Sequence, residues 1–127
     1  MRRVAVVLAV CLAITAGAAS AGATAKGQPI PPFPRLPGVW SHAEINVKIG
    51  NQPHTLILDL GRPVIVSATQ VTLLEADGSI VPVPLAPTTK IMVNGRPAFW
   101  TDLRRRMATE TMRIDGGPAV RVRAFRL

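Results

Sequence analysis

At 127 residues the chain is long enough for one small domain. Its charge of +8 comes from 15 basic and 7 acidic residues, and a single cysteine excludes an intrachain disulfide. There is no tyrosine and there are only five aromatic side chains, so the stacking surface that nucleic-acid binders interleave with basic residues is missing.

The first 25 residues read as an export signal. Arg2 and Arg3 supply positive charge, and Val4 to Ile14, VAVVLAVCLAI, is unbroken apolar sequence. Small residues follow, with Ala-x-Ala sites at Ala19–Ala21 and Ala23–Ala25. That order marks a secretory signal peptide with cleavage before Gly22 or Lys26. The apolar core is short of the about 20 residues that a membrane helix needs; retention as an anchor is the alternative. Cys11 lies inside this core, so the processed chain would have no thiol. Without Arg2 and Arg3 the balance is 13 basic to 7 acidic residues, a net charge of +6. The expected localisation is secreted or cell envelope. The anions met there are cell-wall polymers, lipid headgroups and acidic glycans, not chromosomal DNA.

Residues 26–39 carry KGQPIPPFPRLP, with five prolines, and read as an extended linker. From residue 40 to 127 the pattern has period two. Ala43, Ile45, Val47 and Ile49 alternate with Glu44, Asn46 and Lys48, which predicts a strand with one buried face. Gly50 to Pro53 is a turn. Leu56, Leu58 and Leu60 then alternate with Thr55, Ile57 and Asp59, which places Asp59 on the outward face, with Gly61 opening a bend. Val64, Val66, Ala68, Val71 and Leu73 continue toward an Asp77-Gly78 hairpin. In SIVPVPLAP, Pro82 and Pro84 share one face and Val81, Val83 and Leu85 the other, which suits an edge strand. A short strand reaches the Asn94-Gly95 turn. Thr101-Asp102 then predicts one helical turn leading into Leu103-Arg104-Arg105-Arg106-Met107. The final hairpin closes at Asp115-Gly116-Gly117, with Val120, Val122 and Ala124 inward and Arg121 and Arg123 outward. Short strands with turns every 8 to 12 residues predict an all-β domain of about six or seven strands, a small antiparallel barrel or a sandwich.

The order of parts from about residue 61 to 125 carries a resemblance. RPVIVSATQVTLLEADGSIVPVPL, then APTTKIMVNGRPA, WTDLRRRM and MRIDGGPAVRVRAF resemble a family of small exported bacterial β-barrel domains of unknown function. The resemblance implies a compact barrel similar to an OB-fold, often in repeats, without a known catalytic site. The chain departs from that pattern in its LRRRM segment, where a glycine-containing turn is usual. It also adds a strand pair, AEINVKIGNQPHTLILDL.

Three constellations invite a chemical reading. INVKIGNQPHTLILDLG also looks like the start of a retroviral-type aspartic protease half, in which two carboxylates share a proton across a dimer. Here Leu60 replaces the hydroxyl residue that follows the aspartate, and Arg62 would lower the carboxylate pKa. His42, Glu44 and His54 have zinc-ligand chemistry but no motif spacing, so neither metal nor cofactor is assigned. Arg104, Arg105, Arg106, Arg113, Arg121 and Arg123 form the candidate anion-binding set. Its partner would be an anionic cell-envelope polymer or lipid headgroups; nucleic acid is not expected. The reading is therefore a non-enzymatic exported module, with polyanion binding as the alternative and an aspartic protease as the remote one.

Overall fold

A computed structural model describes the backbone of residues 5–14 and all of residues 30–127. The expected cleavage sites fall outside the described residues. Among those described, eight strands form in chain order: β1 (Ala5–Ile14), β2 (His42–Ile49), β3 (Gln52–Val66), β4 (Gln70–Glu75), β5 (Ile80–Val93), β6 (Arg96–Ala98), β7 (Met107–Ile114) and β8 (Ala119–Arg126). Seven of them follow residue 40, and the domain is all-β and barrel-like.

Five strands close a ring in the order β3-β4-β5-β8-β7, with β7 returning to β3. The long strand β3 makes closure possible. Its residues 52–59 pair with β2, 56–61 with β7 and 61–66 with β4. Gly61 stands where these ladders meet, opposite both Glu75 and Thr109. A Cβ on Gly61 would lie 2.6 Å from the Leu74 carbonyl oxygen, so only glycine permits this approach of β3 and β4. Within the ring every pair is antiparallel except β5 with β8, which run parallel.

Turn chemistry follows the sequence closely. Gly50 and Asn51 have φ of 56° and 65°, and Asn94 and Gly95 have 50° and 77°, the doubly positive geometry of tight hairpin turns. Pro82 and Pro84 of β5 cost no ladder hydrogen bond to β4. Leu85 N–H donates to Thr69 O at 2.8 Å, so alternation along an antiparallel pair gives β4 the odd residues of β5. Pro82 and Pro84 therefore face away from β4, where Ile80–Pro84 has no second neighbour.

Two hydrophobic clusters result. One fills the ring with Val71, Leu73, Val83, Leu85, Leu103, Met107, Val122 and Ala124. The other lies on the opposite face of β3 and β7, with Ala43, Ile45, Val47, Ile49, Leu56, Leu58 and Met112. Ile30, Phe33, Leu36 and Trp40 pack against it, so the proline-rich stretch from Ile30 onward is laid along the sheet. Arg121 holds it there, donating from Nε to Pro31 O at 3.0 Å and from Nη2 to Ile30 O at 2.9 Å.

The one helical turn comes earlier than expected. A 3-10 turn spans Trp100–Asp102, and Asp102 accepts from Phe99 N–H at 2.8 Å. It ends at Leu103, which is buried, so the three arginines lie in the next turn instead of on a helix.

Candidate functional site

Asp59 does not face water. It is 1% exposed, and its Oδ1 lies 2.8 Å from His42 Nδ1. The alternation was correct, but both faces of β3 are covered at this point. Leu58 points to the outer cluster and Asp59 into the ring, across the ladder from Thr111. The same double burial makes Thr109, Glu110, Thr111 and Met112 a run of four buried residues in β7.

A polar layer therefore lies inside the ring. Asp59, Glu75, Thr109 and Thr111 are all at most 2% exposed. The hydroxyls of Thr109 and Thr111 have no hydrogen-bond partner among the described residues. A carboxylate accepts, so Nδ1 of His42 donates to Asp59. Its Nε2 faces the exposed Glu44 carboxylate at 3.4 Å. Such an aspartate fixes an imidazole in place, as in nucleophilic triads. Here the group on the far side of the ring is another carboxylate, not a hydroxyl or thiol.

His54 does not join His42 and Glu44. It pairs with Asp115, whose other oxygen accepts from Thr55 N–H at 2.8 Å. That amide first, and His54 second, hold the Asp115 carboxyl below its ordinary range. Among the described residues no group of three potential ligands is placed to hold a metal.

The six candidate arginines do not form one surface. Arg104, Arg105 and Arg106 are exposed in the turn before β7. Arg113, from the same candidate set, turns back on its own hairpin, donating to Gly117 O at 2.7 Å and Gly116 O at 2.6 Å. Arg121 holds the proline-rich segment. Arg123 pairs with Glu110, with Nε and Nη2 at 2.7 and 2.6 Å from Oε2. Burial raises the Glu110 carboxyl above its ordinary range, and Arg123 offsets part of that rise.

Arg121 and Arg123 nevertheless contribute to a cleft of about 480 Å³ beside β8. The parallel register sets Lys90 next to Arg121 and Met92 next to Arg123. Arg35 and Phe33 come from the proline-rich segment and close the other wall. The Arg123 guanidinium lies 4.4 Å from the Phe33 ring centroid and 5.8 Å from that of Phe125, within cation–π range. Lys90 and Arg35 are exposed and make no ion pair among the described residues. These two cations were missed in the sequence. The parallel pairing of β5 with β8, and the return of a segment some 90 residues away in the chain, leave no periodic signal.

No protein-family model, curated protein or solved structure matches this chain.

Proposed function

We propose that the protein is an exported, non-enzymatic all-β module that binds an anionic polymer of the cell envelope through the cleft between Phe33 and β8. The observation that carries this is the convergence of Arg35, Lys90, Arg121 and Arg123 on one cavity with two aromatic rings. Arg121 and Arg123 are immobilised by their own partners, which leaves Lys90 and Arg35 to meet a ligand. Field lines from four cations converge in such a concavity, and the net charge of +6 expected after processing adds long-range attraction. The ring order, with its parallel β5–β8 pair, supports an OB-like description. Ligand binding on barrel faces of that kind is common. The engagement of Asp59 by His42 within the same chain, and the Leu60 that follows it, weigh against an aspartic protease.

The test is elution from a polyglutamate matrix and a dextran-sulfate matrix as salt rises. Wild type should be retained at low salt and released over the range where charges are screened. Lys90→Ser with Arg35→Ser should elute earlier on at least one matrix. Replacing Arg104, Arg105 and Arg106 by serine should shift elution less, although it removes one more charge. Equal retention of the cleft variant and wild type, or a larger shift for the loop variant, overturns the assignment.

A further inference from the structure

We infer that, once the first residues have been removed, β2 pairs with β2 of a second copy to give a symmetric dimer. The inference begins with what occupies that edge. Ala5–Ile14 runs parallel to β2 as an outermost strand, from Ala5 opposite His42 to Ile14 opposite Ile49. The edge thus accepts an extra strand, and the strand it holds is the apolar core of the export signal. Processing would leave the edge with a row of unpaired backbone groups.

The geometry of β2 selects the replacement. Leu60 N–H donates to Ser41 O at 2.9 Å, and the β2–β3 register runs without a bulge from His42–Asp59 to Ile49–Gln52. By the alternation of an antiparallel pair, the odd residues of β2 bond to β3. The N–H and C=O groups of His42, Glu44, Asn46 and Lys48 therefore point to the outer edge. A two-fold axis through Asn46 matches these even residues with one another. It sets Asn46 opposite Asn46 of the second copy and Glu44 opposite Lys48 of the second copy, twice over. The neighbouring registers that keep this parity set Glu44 opposite Glu44, Lys48 opposite Lys48, or leave the charges unmatched. On the other face, Ile45 meets Val47 of the second copy, and both are buried in the outer cluster. One register thus satisfies backbone, charge and apolar pattern together, as an isologous interface requires.

The experiment uses the protein recovered after export, with its N-terminus sequenced and its mass followed by sedimentation over a range of concentrations. Wild type should be dimeric. Glu44→Lys alone, or Lys48→Glu alone, should weaken the dimer by about tenfold or more, because like charges then face each other twice. The two substitutions together should restore it. Asn46→Cys reads the register directly: residues opposite in a hydrogen-bonded pair have Cα atoms about 5.5 Å apart, within disulfide reach. That variant should oxidise to a covalent dimer, and Lys48→Cys should not. A processed chain that stays monomeric, or a double reversal no better than the single ones, overturns the proposal. A recovered chain that keeps Met1 overturns the proposal, because the first residues then still cover the edge, and it leaves the exported reading standing.

Discussion

His42 and Asp59 face each other across the β2–β3 ladder, and the imidazole Nδ1 of one lies 2.8 Å from the buried carboxylate of the other. The pair sits where β2 begins, two residues before β4 takes up the pairing of β3 at Gly61, so it joins the barrel to its additional strand. Asp59→Ala should destabilise the fold by about 1–3 kcal/mol, the cost of losing a charge-assisted bond inside the ring. His42→Ala should cost at least as much, because it takes a donor from the buried carboxylate, whereas the imidazole freed by Asp59→Ala can turn to water. A double-mutant cycle by urea denaturation checks it, and a coupling near zero would contradict the pairing.

The hydroxyls inside the ring predict the opposite sign. Thr109 and Thr111 are fully buried with unpartnered oxygens among the described residues. Valine has nearly the same shape and removes the desolvated group. Thr111→Val should therefore raise the denaturation midpoint, by a stabilisation of about 1 kcal/mol. A loss of stability would mean that this hydroxyl is bonded in solution.

Gly61 allows no such gain. Gly61→Ala puts a methyl 2.6 Å from the Leu74 carbonyl oxygen, a backbone atom that cannot rotate aside. Separation of β3 from β4 at the junction of three ladders should cost about 1–3 kcal/mol. Thermal unfolding of the variant measures it. An unchanged midpoint would show that the junction is slack.

Two carboxylates predict distinct responses to pH. Glu110 has a pKa raised above 4.5 by burial, so the folded chain keeps its proton to higher pH than the unfolded chain. Its ionisation lowers stability as pH rises from 4.5 through the raised value, and the loss is constant above that. Asp115 has a pKa lowered from 3.8 by the Thr55 amide and then His54. Its contribution is present above 3.8 and is lost as pH falls through the depressed value. Glu110→Gln should flatten the first slope, and Asp115→Asn the second. Stability measured across the acid range in both variants distinguishes them.

The strands, the hairpin turns and the outward prolines of β5 were legible because each is local. Period-two alternation and Asn-Gly or Asp-Gly pairs are set by neighbours in the chain. Asp59 was misplaced for a reason that is not local. Alternation tells two faces apart, but it cannot tell a face covered by water from one covered by the far wall of a barrel. The arginines show the same limit. Arg113, Arg121 and Arg123 have similar surroundings in sequence, yet each guanidinium has a different task, decided by strand register and by the return of Ile30 and Pro31. Phe33 and Arg35 looked like linker residues. Their part in the cleft depends on two hydrogen bonds from Arg121.

Pro82 and Pro84 carry a consequence for how large an assembly can grow. Sheets that extend at both ends build filaments, and a small barrel with an opened ladder is exposed to that hazard. In this chain the open edges of β2 and of β5 are chemically unlike. Past β2 the backbone offers alternating donors and acceptors, whereas along Ile80–Pro84 the outward positions Pro82 and Pro84 offer no donor. A sheet that pairs through β2 therefore ends, in each copy, on a stretch that cannot template a further strand. Under the proposed pairing, growth through this edge would stop at two chains.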